Sequence, residues 1–495
     1  MDPVMFFTVL TSIYLVALFF DMFFKSCMHY PYDAFLRNTG VTIQFMRIKW
    51  YTTAFNRTIF KWGSSWKRLF TQSFNMGVIA TFFLLPVGVV ILFASLFHSQ
   101  DSSTGGSRSK LSDVRVEILL PGLSLPLEEI GYYILTLVVC TLVHELGHAL
   151  AAVLEDLPVT GFGVKFYFCI PLAYTELSGE HLNALKSLRK MRVLCAGIWH
   201  NLLLSTFCYL LLLSLGIFFR PFYYMNDTII VTDITRNSRL LGEKGLFPSD
   251  IITHVNHCRV RDMDSWYDCL IQSIQKKPAF CVSSDFIRLN DESGPISHSY
   301  DGVIQCCDPT NLKMCCFEYI DDLSNDDPIE IPQHVCLDIR KTIEDSSGFC
   351  TNSCDKGFCI RPLLNNATTI ITMQRRAKPD VIYIGHPADV SRSIRVSGFV
   401  PKTGVFSPRF ADSALLFLKY NIVFSLGLAI INAIPCFGLD GYHISSTIIN
   451  NFLVTKVPER GKRDLVVLFV TSLGTLLFIS SVVKVLWYSV IKTFV

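Results

Sequence analysis

Six apolar runs dominate the 495-residue sequence, at 4–24, 76–97, 130–153, 194–219, 414–434 and 465–487. Each is close to the roughly 20 residues that a helix needs to cross the hydrocarbon core of a bilayer. The fifth is broken near its end by Pro435. A water-soluble surface has no means of hiding that much apolar bulk, and only 17% of the chain is charged, against about 25% in an ordinary soluble domain. The expected fold is therefore a polytopic α-helical membrane protein of about six spans. The first run starts where a signal peptide would, but it has no basic n-region and no small-residue cleavage site, so it is read as a retained helix.

Sidedness follows from lysine and arginine in the short connections. The connection 26–75 carries Arg37, Arg47, Lys49, Arg57, Lys61, Lys67 and Arg68 against one acid, Asp33, and is expected to be cytosolic. The same side suits Lys165, Lys186, Arg189, Lys190 and Arg192, and also Lys456, Arg460, Lys462 and Arg463. Alternation then puts the long polar stretch 220–412 in the lumen. Cysteine usage gives an independent vote: eleven of the 17 cysteines lie between Cys258 and Cys359, which reads as a disulfide framework in an oxidising compartment. Eleven is odd, so one thiol is left free or paired elsewhere. Asn226 and Asn366 open glycosylation sequons on the lumenal side, whereas Asn56 opens one that a cytosolic loop keeps bare. The overall charge of +3, with no basic run longer than two residues, excludes nucleic acid as a partner.

The third run contains His144-Glu-Leu-Gly-His148, an HExxH sequence. Two histidines four residues apart project from one helical face a turn apart, which lets both imidazoles reach one Zn²⁺. Glu145 beside them is placed to take a proton from water and later return it, a general base and then a proton donor. Ionisable groups inside an apolar run are costly and usually functional. A catalytic zinc takes three protein ligands, and the interrupted fifth run offers Asp440 as the third. The alternatives there are a helix-end aspartate with no metal, and Cys436 as the ligand. Asn201 on the fourth run and Asn432 before the break are at depths where an amide can donate to a developing oxyanion or to substrate backbone; each is equally suited to joining helices. His200 reads as a satisfied core histidine.

HExxH, Ala196-Gly-Ile-Trp-His-Asn201, Phe55-Asn-Arg-x-x-x-x-Trp-Gly63 and Asn432-Ala-Ile-Pro-Cys-Phe-Gly-Leu-Asp-Gly441 together resemble the site-2 protease family of intramembrane zinc metalloproteases, and in particular its animal members that act on membrane-bound transcription factors. The resemblance covers nearly the whole chain. It departs in having only Pro435 before Leu-Asp-Gly, where bacterial relatives carry more prolines, and in a short Ser-rich loop at 99–110. It implies one zinc per chain and a membrane-inserted β-hairpin over 161–170, with Gly161, Gly163 and Phe166 on a strand whose edge pairs with the substrate. The strand-like stretches 228–234 and 245–256 look like a PDZ-like module, interrupted or followed by the Cys-rich insertion, serving as a lumenal filter on substrates. Partners implied are the bilayer and membrane-spanning substrates such as sterol regulatory element-binding proteins, cut first by a lumenal protease. The home implied is the Golgi or endoplasmic reticulum membrane.

The expected domains begin with a first transmembrane helix (1–24), a cytosolic basic loop (25–75), a second helix (76–97) and a lumenal Ser/Gly-containing loop (98–129). The catalytic core comes in two segments, 130–219 and 413–463, on either side of the lumenal PDZ-like and Cys-rich α+β domain (220–412). A last helix with its tail (464–495) closes the chain. Two rival functions use the same residues: a catalytically silent scaffold that holds clients through the PDZ-like domain, and a metal transporter, for which the inverted repeats usual in transporters are missing.

Overall fold

The computed structural model describes residues 3–97 and 129–494, apart from 28, 45–46, 168–169, 237, 243, 276, 299–303, 309, 312, 321–333, 352, 355 and 366–367. The Ser-rich loop and the Asn366 sequon lie outside the described residues. The chain forms two compact units, residues 1–214 with 416–495, and residues 215–415.

The first unit opens with α1 (Pro3–Ser26), α2 (Tyr30–Thr39), β1 (Val41–Gln44), β2 (Arg47–Thr52), α3 (Asn56–Ser65), α4 (Lys67–Phe97) and α5 (Ile130–Leu154). It continues through β3 (Val159–Tyr167), β4 (Ile170–Leu177), α6 (Gly179–Ala184) and α7 (Ser187–Phe219). Apolar side chains such as Phe83 (72% exposed) and Phe218 (60% exposed) cover the outside of the long helices, a surface that lipid satisfies and water does not. α5 is the enclosed one: 56% of its apolar window is buried inside the protein, against 28% for α4 and 11% for α7. Small residues let neighbouring helices approach. Gly77 of α4 sits under the Trp199 ring of α7, and Gly63 of α3 sits against Val153 of α5. At the end of α5, the buried Glu155 carboxylate accepts a hydrogen bond from Arg192 of α7 at 2.8 Å.

The hairpin is larger than the sequence implied. β1 to β4 form one antiparallel sheet in the order β1-β2-β3-β4, so the basic connection supplies half of it. Ile48 pairs with Phe166, Lys49 with Lys165 and Trp50 with Val164. β3 therefore has a neighbour on each side, and Gly161, Gly163 and Phe166 are not at an open edge. The correction has a packing cause: a Cβ at Gly163 would meet the Trp50 carbonyl oxygen at 2.1 Å, and one at Gly161 would meet the Tyr51 ring at 2.6 Å. These glycines make room for β2. The open edge of the hairpin is β4. Asn56, whose amide donates to the carbonyls of Val159 (3.2 Å) and Thr160 (3.1 Å), ties α3 to β3.

The second unit contains β5 (Tyr223–Tyr224), β6 (Ile229–Ile234), β7 (Ile251–Val255), β8 (Cys258–Arg259), α8 (Met263–Gln275), β9 (Ala279–Val282), α9 (Ser284–Asn290), β10 (Ser297–His298) and β11 (Ile304–Gln305). Then follow β12 (Met314–Tyr319), β13 (His334–Asp338), α10 (Ile339–Asp345), β14 (Gly348–Cys350), β15 (Phe358–Pro362), β16 (Thr369–Arg375), β17 (Lys378–Gly385), α11 (Pro387–Ser393), β18 (Ile394–Ser397) and β19 (Val400–Pro401). One sheet runs β17-β16-β7-β6-β18, with β8 on β7, over a core that includes Leu246, Ile252, Trp266 and Met373. A second, β13-β12-β15-β9-β14, packs around Phe280, Phe317 and Leu337. The second sheet is threaded into the first between α8 and β16. Disulfides Cys258–Cys269, Cys281–Cys354, Cys306–Cys316, Cys307–Cys336 and Cys350–Cys359 use ten of the eleven clustered cysteines. The eleventh, Cys315, is a buried free thiol whose pKa burial pushes up to about 12.

The chain returns to the first unit through α12 (Pro408–Ala433), α13 (Asp440–Leu453) and α14 (Arg460–Phe494). Among the described residues five helices, α4, α5, α7, α12 and α14, are long and apolar enough to cross a membrane. The first apolar run folds as the 24-residue helix α1.

Candidate metal centre

The site begins with the 3.6-residue repeat of α5. His144 and His148 stand one turn apart on its buried side, with their Nε2 atoms 3.2 Å from each other. Asp440 reaches the same point from the far end of the sequence: its Oδ2 is 3.0 Å from His144 Nε2 and 3.1 Å from His148 Nε2. As the first residue of α13, its carboxylate also lies at the positive end of a helix dipole.

The break that delivers Asp440 follows from local chemistry. α12 stops before Pro435, which has no N–H to continue it, and Gly438 takes a φ of +84° that other residues adopt with strain. α13 then folds back so tightly that a Cβ on Gly441 would lie 1.9 Å from the Ile434 carbonyl oxygen. Backbone groups freed inside an apolar unit need partners; the Phe437 N–H donates to Thr475 Oγ1 of α14 at 3.1 Å.

α7 forms the back wall. A Cβ at Gly197 would lie 2.5 Å from His148 Nε2 and 2.6 Å from His144 Nε2. His148 Nδ1 donates to the Val193 carbonyl at 2.8 Å, and His144 Nδ1 lies 3.1 Å from Asn201 Nδ2. Asn201 thus contacts the imidazole nitrogen opposite the shared centre, not the space where a substrate would lie. This corrects its reading as an oxyanion donor.

Two imidazole nitrogens and a carboxylate oxygen within hydrogen-bond distance of one another fit a single cation. Zinc bonds of about 2.0–2.1 Å in tetrahedral array put neighbouring donors roughly 3.3 Å apart, close to the spacing here. The donor set is a zinc set by chemistry, and the outer nitrogen of each histidine is held by a further polar group, as is usual for metal ligands.

Other candidates fall outside the cluster. Cys436 packs with Leu92 and Ile434, and its thiol faces the Phe437 carbonyl. His200 is a packed histidine, bonded to the Ala196 carbonyl at 3.0 Å and stacked on Phe74. Asn432 is buried in the last turn of α12, and no hydrogen bond among the described residues joins it to the cluster.

Residues 132–477, well over half of the chain, match Peptidase family M50. The chain belongs to that family. A curated relative, "Membrane-bound transcription factor site-2 protease homolog" of Arabidopsis thaliana, is 24% identical over 474 residues, 84% of this chain and 87% of the relative. The matched M50 region begins within α5 and ends within α14, so it spans every helix that contributes to the histidine–aspartate cluster.

M50 membership makes the chain a metallopeptidase, and two features not legible in the sequence bear on that chemistry. The Glu145 carboxylate is half-buried and has no hydrogen-bond or ion-pair partner among the described residues. Its backbone carbonyl accepts the Thr175 hydroxyl of β4 at 3.0 Å, so the open-edged strand is fastened directly to the helix that carries the histidines. No sequence signal identifies Thr175, because the bond joins strand to helix across 30 residues.

Proposed function

We propose that the chain is an intramembrane zinc endopeptidase. The carrying observation is the convergence of His144, His148 and Asp440, from two helices 292 residues apart, within about 3 Å in an apolar helical unit. In this reading they hold one zinc, which when bound supplies Lewis acidity and lowers the pKa of water to about 7. Glu145, with no competing partner, takes the proton of the attacking water and passes it to the leaving amine. A substrate helix keeps its peptide bonds internally paired, so it must be drawn out before it can be cut. The open edge of β4, held to α5 by Thr175, offers backbone groups for strand addition. Asn432 is proposed as an amide donor to substrate or oxyanion.

The substrates proposed are membrane-anchored transcription factor precursors, such as sterol regulatory element-binding proteins, trimmed first by a lumenal protease; the name of the Arabidopsis relative supports this class. The proposed topology has six spans in a Golgi or endoplasmic reticulum membrane, with residues 25–75 cytosolic and the disulfide-bonded unit lumenal, acting as a PDZ-like filter and presenting the sequons at Asn226 and Asn366 to glycosylation. The proposed domain limits are those set out under Sequence analysis. The test is Glu145→Gln beside wild type, purified and given a membrane-embedded substrate. Both should hold about one zinc and only wild type should cut, with the loss at least about 10³-fold. Equal client binding with no cleavage by either protein would favour a scaffold.

A further inference from the structure

A neutral imidazole carries one N–H and one bare nitrogen, and a metal ligand must present the bare one. For His148 the choice is forced: Nδ1 faces the Val193 carbonyl at 2.8 Å, which only accepts, so the proton is on Nδ1 and Nε2 is bare. For His144 the partner is an amide, which serves either tautomer. With Nδ2 of Asn201 facing Nδ1 at 3.1 Å, the His144 proton sits on Nε2 and points at Asp440 Oδ2, 3.0 Å away. With the amide turned by half a rotation, Oδ1 accepts from Nδ1–H and Nε2 is bare. The two ends of an amide have nearly the same shape. Turning it sacrifices no bond of Oδ1, because that atom is fully buried and has no hydrogen-bond partner.

We propose that Asn201 is a positioning residue for the metal, its side-chain oxygen accepting the Nδ1 proton of His144 so that Nε2 is free to bind. The inference rests on the zinc reading above.

The test compares zinc affinity, by competition with chelators of graded strength, and the visible absorption of the Co²⁺-substituted protein, for full-length wild type, Asn201→Leu and Asn201→Asp. A carboxylate accepts but does not donate, so Asp keeps the proposed bond and Leu loses it. Asn201→Leu should bind zinc about 10–100-fold more weakly with an altered Co²⁺ spectrum, while Asn201→Asp stays within about 3-fold of wild type or binds tighter, with the wild-type spectrum. Asn201→Leu binding like wild type, or Asn201→Asp falling as far as Asn201→Leu, overturns the proposal while leaving the protease reading intact. Wild type that binds no zinc overturns both. If Asn201→Leu does not fold, Asn201→Ser, with a hydroxyl too short to reach Nδ1, takes its place under the same criteria.

Discussion

At Gly197 the lack of a side chain is what allows α7 to lie flush against both imidazoles. An alanine there would put a methyl carbon 2.5 Å from His148 Nε2, well inside van der Waals contact, and the rigid neighbours on α5 leave only a shift of the helix or of the rings. Gly197→Ala is expected to cut zinc per chain, measured by elemental analysis, by about 10-fold or more while the far-UV circular dichroism is kept; full occupancy would refute this account of the wall. Asp250 makes a different kind of residue-level prediction. Burial alone would raise its pKa, but hydrogen bonds from Lys378, the Phe247 N–H and Arg375 outweigh burial and hold it below the usual carboxylate range. A lowered folded-state pKa means that its stabilisation is complete above the unfolded value of about 3.9 and fades as pH falls through the folded value. Asp250→Asn, which strands the buried Arg375, should lower stability by about 3 kcal/mol at neutral pH. The gap from wild type should narrow below about pH 4; a gap that stays constant down to pH 2 would contradict the assignment.

The elements differ in how openly the sequence announced them. The α12–α13 break was legible, because Pro435 and Gly438 act on their own backbone, and so was the pairing of His144 with His148, which is a matter of helical pitch. The sheet was only half legible. The composition of 161–170 signalled strand, yet β1 and β2 are short and β3, which β2 joins, lies more than 100 residues on, so the first two strands read as loop. Asn201 was visible as a member of a motif, but its contact with His144 depends on the distance between two helices. The link from sheet to metal helix rests on one hydroxyl, and that can be tested. Thr175→Val preserves shape and removes the bond to the Glu145 carbonyl. It should leave zinc content unchanged and cost about 1 kcal/mol of stability, while lowering cleavage of a membrane-embedded substrate several-fold. Cleavage at the wild-type rate would show that β4 needs no such fastening.

For the molecule as a whole, two chemistries are kept apart. Among the described residues all five disulfides lie in residues 215–415, and the free thiols of the other unit include Cys27, which is exposed. Cysteine count made that framework readable, whereas its nesting was not, since β7 meets β16 only after the whole second sheet has been inserted between them. In sealed vesicles a membrane-impermeant maleimide should label Cys27 from the side bearing the basic connection and not from the side bearing the disulfides. Cys315, buried and with its pKa pushed up to about 12, should stay unlabelled until the unit is unfolded. Labelling of Cys27 from the disulfide side would overturn the proposed orientation.

The sequence separation of 292 positions from His148 to Asp440 also bears on how such an enzyme is made. While the ribosome is still working through the disulfide-bonded unit, α5 already carries its histidines and its glutamate, but the third donor has not been synthesised. The growing polypeptide therefore passes through the translocation machinery, among many unfolded membrane segments, without a complete centre. On the proposed ligand set, competence arrives only when α13 folds back onto α12, so the order of synthesis itself delays the appearance of a working protease until the chain is nearly complete.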